Sequence, residues 1–219
     1  MFPLDPTCRI REITTMIANN EKPRWFFYLL WILLTLLCVP IAFILDLVIL
    51  RIITFFVGDF IYVDGVRHIT EDYLGIWIFI PIVGLLTGVL QYGLLRRFLP
   101  HMGWWVAATI GGWLLGAFLT LIPGWLHWTH SLFSLDLAFI GMGLSIGMGQ
   151  WLLLRRRLPR AGWWIGANVA GWGLLALITQ GNSIGQFGLF ILGFFPASVT
   201  GLMLALLMNQ VQRTEPQGV

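Results

Sequence analysis

Charged side chains are scarce in this chain. Of its 219 residues, 11% are Asp, Glu, Lys or Arg, whereas a soluble domain carries about 25%. An ordinary soluble globular domain is thereby excluded. Lysine is all but missing: Lys22 stands alone, and arginine supplies the other cations. Cysteine occurs twice, Cys8 in a polar arm and Cys38 in an apolar run. That placement excludes a disulfide framework, and no metal-type cysteine spacing exists. Charge at mid-depth is missing from most of the apolar segments, which argues against a proton-coupled pump.

What is abundant is apolar. Hydrophobic residues make up 58% of the chain, and mean hydropathy is +0.84. The reading is an all-α, polytopic helical membrane protein, because a span takes about 20 apolar residues. Six spans fit, near 25–45, 74–97, 104–124, 134–156, 162–179 and 187–210. The first apolar run continues past Pro40 to Val57, too long for one perpendicular span. Either Pro40 kinks it, or the part after Asp46 lies along the outer surface. Residues 1–24 form a separate polar arm, and 25–219 a single transmembrane domain. In the arm, Asp5-Pro6 is a helix start, and Ile10, Ile13 and Ile17 recur at helical spacing. The arm therefore reads as an interfacial amphipathic helix. Its acids, and the length of the run behind it, do not suit a signal peptide, so span 1 is expected to persist in the mature protein.

The arginines set the orientation. Arg9, Arg11, Lys22 and Arg24 precede span 1. Arg96 and Arg97 end span 2, Arg155, Arg156, Arg157 and Arg160 end span 4, and Arg213 follows span 6. Six spans put all of these on one side and Asp59, Asp64, Glu71 and Asp72 on the other, with Arg67. Under the positive-inside rule both termini are cytoplasmic. The net charge of +3 then reports orientation, and no nucleic-acid partner is implied.

The chain also repeats itself. Shifted by 59, residues 84–117 and 143–176 agree at 18 of 34 positions, including "LLRR", "LP" and "GWW". The unit is a helical hairpin, spans 2–3 and then 4–5. Both copies enter from outside, so they are parallel repeats about an axis along the membrane normal. Arg96, Arg97, Arg155, Arg156 and Arg157 are placed for anionic headgroups or an acidic partner surface. Pro100 and Pro159 stop the helices, Gly103 and Gly162 open the turns, and Trp104-Trp105 and Trp163-Trp164 form an aromatic belt.

The interior of the repeat carries the candidate site. Gly84, Gly88 and Gln91 share one face, as do Gly143, Gly147 and Gln150. A second small-residue stripe, Gly103, Ala107 and Gly111, is matched by Gly162, Gly166 and Ala170; such stripes let helices approach closely. Gln91 and Gln150 lie about 7 Å inward from their arginines. There they must bond each other, the facing backbone or a ligand. Trp113 and Trp172 lie deeper and complete a packing or ligand site. A lipid, quinone or pigment is the class of cofactor such a site would take. Span 6 reads as a decayed third copy through Ala197 and Gly201, with Asn209-Gln210 where the arginines stood.

Other motifs do not survive their context. "GLSIG" at 143–147 has the G-x-S-x-G form of serine hydrolases, but that elbow needs a strand-to-helix turn and this one is inside an apolar helix. "GMGLSIG" is one residue out of register for a dinucleotide fingerprint. His127 and His130, with Asp136 nearby, are weak metal candidates without a third firm ligand; interfacial polar residues beside Trp125 and Trp128 are the plainer account.

The pattern Gly-x-x-x-Gly-x-x-Gln-Trp-x-Leu-x-Leu-Arg-Arg, then Pro and Gly-Trp-Trp, resembles repeats in polytopic membrane proteins of cyanobacteria and filamentous green phototrophs. It covers 84–117 and 143–176, and copy one departs in carrying Tyr92 for tryptophan. The resemblance implies no activity and hints only at phototrophic membranes.

The expectation is a non-catalytic structural or accessory subunit of a bacterial cytoplasmic or thylakoid membrane. It would pack beside membrane lipids and other membrane subunits, of a photosynthetic or respiratory complex, or hold a lipid-like cofactor. The rival is a small channel, transporter or lipid-handling protein. The topology is testable by single-cysteine labelling from each side. Positions 101 and 160 should label from the cytoplasm; labelling from outside alone would end the six-span reading.

Overall fold

The computed structural model describes residues 24–99, 102–125, 133–179 and 188–213. Six helices account for nearly all of them: α1 (Arg24–Val57), α2 (Thr70–Leu95), α3 (Trp105–Trp125), α4 (Phe133–Leu154), α5 (Trp163–Thr179) and α6 (Gly188–Arg213). Between α1 and α2 stands a small antiparallel hairpin, β1 (Phe60–Val63) with β2 (Val66–Ile69). The amphipathic helix expected before Arg24 lies outside the described residues, as do His127 and His130. Three stretches are long and apolar enough to cross a membrane: Phe26–Val57, Thr70–Leu95 and Ile191–Gln210. Trp105–Leu119, Ala138–Leu154 and Trp163–Ile178 are shorter apolar helices.

Helix α1 corrects one expectation. It leaves no separate segment after Asp46; all 34 residues form one continuous helix with Pro40 inside. After Pro40 the run to Val57 holds no glycine or second proline. In an apolar setting no water competes for the backbone, so the helix keeps its bonds. It stops at Gly58, whose φ of +96° leaves the helical region.

The β-hairpin was not anticipated. Its signal is Asp64-Gly65 between "FIYV" and "VRHI". Both turn residues have positive φ, 50° and 77°, as a two-residue turn matching the strand twist requires. The hairpin is anchored to α2: the Thr70 backbone N–H donates to the Asp59 carbonyl at 2.9 Å, and the Thr70 hydroxyl donates to the Gly58 carbonyl at 2.7 Å.

Each helix packs on its neighbours in sequence, and α6 packs back on α1, so the six close into a ring. Glycine sets the spacing. A Cβ on Gly84 or Gly88 would lie 3.2 Å from Ile110 Cα or 3.0 Å from Val106 Cα, and one on Gly143 or Gly147 would lie 3.0 Å from Val169 Cα or 3.2 Å from Ile165 Cα. This stripe faces its hairpin mate, as its spacing suggests. The second stripe does not. Gly103, Gly111, Gly162 and Gly166 meet nothing within 4 Å. Close approach between hairpins falls one residue on, at Gly112 and Gly171, where a Cβ would lie 2.6 Å from Ile146 Cα and 2.7 Å from Pro196 Cα. One residue is about 100° around a helix, enough to turn a stripe from its neighbour to the outside.

Neither backbone can yield easily at 2.6 Å. Gly112→Ala should therefore destabilise the bundle by about 1–3 kcal/mol, the usual range for overpacking, while Gly111→Ala should be nearly neutral. Thermal unfolding in one detergent compares them; equal midpoints would remove this interface from the account.

Candidate functional site

The two glutamines meet at the centre of the ring. Gln91 is 6% exposed and Gln150 2%. Gln150 Nε2 donates to Thr109 Oγ1 at 3.0 Å and, more weakly, to Gln91 Oε1 at 3.4 Å. Gln91 Nε2 donates to Thr35 Oγ1 at 3.3 Å. Each glutamine oxygen accepts from a tryptophan on the other arm of its own hairpin: Trp105 Nε1 donates to Gln91 at 3.3 Å, and Trp164 Nε1 to Gln150 at 3.0 Å. The same bond thus recurs at a shift of 59, shorter in the second copy. One turn further along α3 and α5, Thr109 and Asn168 hold equivalent places. The Thr109 hydroxyl donates to the Trp105 carbonyl at 2.9 Å, and Asn168 Nδ2 to the Trp164 carbonyl at 3.0 Å.

The belt of paired tryptophans needs correcting. Trp104 and Trp163 are exposed, as a belt requires, but Trp105 and Trp164 are fully buried. Consecutive helical residues point about 100° apart, so one of each pair must turn inward. Trp105 meets Trp164 edge-on at 6.1 Å between centroids, and Trp31 of α1 meets Trp164 in the same way at 6.1 Å. Trp31 Nε1 in turn donates to Thr200 Oγ1 on α6 at 3.2 Å. Trp31, Thr35, Thr109, Asn168 and Thr200 were missed in the sequence because only Thr109 and Asn168 lie in the repeat, where they differ.

This polar layer separates two apolar cores. One holds Trp31, Trp105, Trp164, Leu95 and Leu154; the other holds Val39, Val83, Ile146, Trp113 and Trp172. Trp113 and Trp172 pack edge-on at 5.3 Å and belong to that second core. Every side-chain N and O of the two glutamines has a protein partner.

The remaining candidates separate. Arg96, Arg97, Arg155 and Arg156 are exposed at one end, just past α2 and α4, and Arg157 is half-buried. Arg155 lies over the Trp151 ring at 5.0 Å. Asp46 is buried on α1, and its Oδ1 has no hydrogen-bond partner. Arg51, five residues on, points away and pairs with Glu71 at 3.1 Å. Among the described residues no group of three His, Cys, Asp or Glu is placed to hold a metal.

The fold and its apolar helices define the class: a helical bundle with helices fit to cross a membrane. No family model, curated protein or solved structure matches the chain.

The tryptophan bonds are testable as pairs. Double-mutant cycles on Trp105→Phe with Gln91→Leu, Trp164→Phe with Gln150→Leu, and Trp31→Phe with Thr200→Val should each give coupling of about 0.6–2 kcal/mol. The second should be strongest, matching its shorter bond. Additive effects in all three would mean that the indoles only fill space.

Proposed function

We propose that the chain is a non-catalytic structural or accessory subunit of a bacterial cytoplasmic or thylakoid membrane, crossing six times with both termini in the cytoplasm. One observation carries this: the buried glutamines of the repeat are fully spent on partners within the protein. Buried amides left without partners are costly, about 1–3 kcal/mol each, and here the glutamines bond across hairpins. That supports glue rather than a ligand site between the hairpins. A lipid, quinone or pigment, if carried, belongs on the outer apolar faces. The exposed arginines suit anionic headgroups at the cytoplasmic boundary.

The architecture that best accounts for the contacts has three hairpin units, the third made from the two ends of the chain, α6 and α1. Gly84 sits on Ile110, Gly143 on Val169 and Gly193 on Leu36. Gly112 meets Ile146, and Gly171 meets Pro196. Two operations, a shift of 59 and a permuted alignment, relate all of these. The third copy expected in span 6 is thus retained in a different register. Gly193 and Ala197, not Ala197 and Gly201, take the places of Gly84 and Gly88, and Thr200 takes that of Gln91. A slip of four residues returns a helix to nearly the same face, so small-residue spacing alone does not fix it.

The channel or transporter reading has one observation in its favour, the buried and unpartnered Oδ1 of Asp46. A membrane carboxylate so placed is a common mark of an ion path. The test is paired. Purified in mild detergent, the parent should co-purify with a stoichiometric membrane complex, and in liposomes it should give no proton or ion flux. Asp46→Asn should leave assembly unchanged. Flux in the parent, abolished by Asp46→Asn, would replace the accessory reading with the transporter.

A further inference from the structure

Helix α1 is longer than the membrane it crosses. Its 34 residues span roughly 51 Å at 1.5 Å each, against a hydrocarbon core of about 30 Å. The Arg51–Glu71 pair fixes where the excess lies. It joins α1 to the first turn of α2, and Arg51 is largely exposed, so the pair belongs at headgroup level. Past it, α1 rises six more residues, about 9 Å. Phe55 is 83% exposed and Phe56 79%. The hairpin continues the apolar surface with Tyr62 and Val66, both exposed.

This crown is built. Phe55 and Phe56 pack edge-on at 5.2 Å, Arg67 lies 3.5 Å over the Phe60 ring, and Thr70 ties the base of the hairpin to α2. Aromatic side chains held in place beyond the bilayer are a mark of contact with another protein. Charge narrows the occupant. Asp59, Asp64 and Asp72 are exposed around the crown and outnumber Arg67, which lies over the Phe60 ring, while Arg51 and Glu71 neutralise each other. Such a rim repels anionic headgroups and attracts a basic surface.

We infer that the end of α1 and the β1–β2 hairpin form a docking site, on the non-cytoplasmic side, for a partner protein with an apolar patch rimmed by lysine or arginine. This rests on the accessory-subunit reading and names where and to what the subunit attaches. A partner seated there would cover apolar surface that lipid tails cannot reach.

The test uses the full chain. In vesicles of phosphatidylcholine and phosphatidylglycerol, a fluorophore on Phe56→Cys, with Cys8→Ser and Cys38→Ala, should be quenched by aqueous iodide. Quenching by spin-labelled acyl chains instead would bury the crown in lipid and overturn the inference. In native membranes, benzoylphenylalanine in place of Phe56 should crosslink to one protein, through an apolar peptide flanked by basic residues. Asp59→Lys with Asp64→Lys should cut that yield about tenfold. Adducts confined to lipid or to a second copy, no adduct, or a yield indifferent to the charge reversal would each overturn it. Co-purification separates the two layers. A complex retained by the parent without a crosslink at position 56 sinks the docking site alone, and a parent that brings down no complex sinks the accessory reading with it.

Discussion

A primary amide buried in an apolar helical bundle must be hydrogen-bonded, and the rest of this structure is arranged around that requirement. Gln91 and Gln150 sit where neither water nor headgroups can serve them. Their partners must come from other helices: Thr35 of α1, Thr109 and Trp105 of α3, and Trp164 of α5. Apolar packing in a membrane does not distinguish well between one helix neighbour and another, since lipid tails are as apolar as leucine. A polar layer with few satisfactory arrangements does. It specifies which helices meet and at what height.

The glycines make the layer reachable. An indole N–H can bond a glutamine on the facing helix only if the two backbones are close. Gly84 and Gly88 above Gln91, and Gly143 and Gly147 above Gln150, bring them close. The ordering along each strip follows: glycine first, amide next, then large side chains such as Leu94 and Leu154 that close the core with Trp105 and Trp164. Small residues and hydrogen bonds are thus one device. Widening the helix pair at Gly88 would lengthen the bond at Gln91, which at 3.3 Å already lies at the long end of good geometry.

Much of this was legible. Hydropathy placed five of the six helices within a few residues of their bounds, but ended the first near residue 45, well short of Val57. The glutamines stood out as polar residues in the wrong place, and bonding to each other was among the readings available. What stayed hidden has a common cause. A pair such as Trp104-Trp105 reads as one interfacial signal, yet helical geometry sends the two rings in different directions, and only packing says which turns inward. The Gly103 and Gly112 stripes differ by so little in sequence that the facing one cannot be chosen without the neighbour. The Trp31–Thr200 bond joins residues 169 apart, with no repeated motif around either. The Asp64-Gly65 turn was legible in principle, but its strands are only four residues each and lie beside a very long apolar run that dominated the reading.

The ends of the chain impose the last constraint. Two hairpins owe their pairing to short turns, so their mates are close before any packing occurs. Helices α6 and α1 have no such turn and must find each other across the whole sequence. The loop-closure term for that search grows only slowly with length, but it has to be offset by contacts. Those contacts differ in kind from the ones in the covalent hairpins. Threonine stands where the others have glutamine, and Val39 stands where Trp113 and Trp172 stack. Gly193 against Leu36 and Gly201 against the Trp31 ring keep the helices close, and Trp31 reaches inward to Trp164. The seam between α6 and α1 is therefore held less by its own lock than by the tryptophan cluster of the two finished hairpins. A ring assembled in this order has its firmest part in the middle of the chain and leaves α1, with its long exposed face and its projecting end, as the helix most open to what lies outside the bundle.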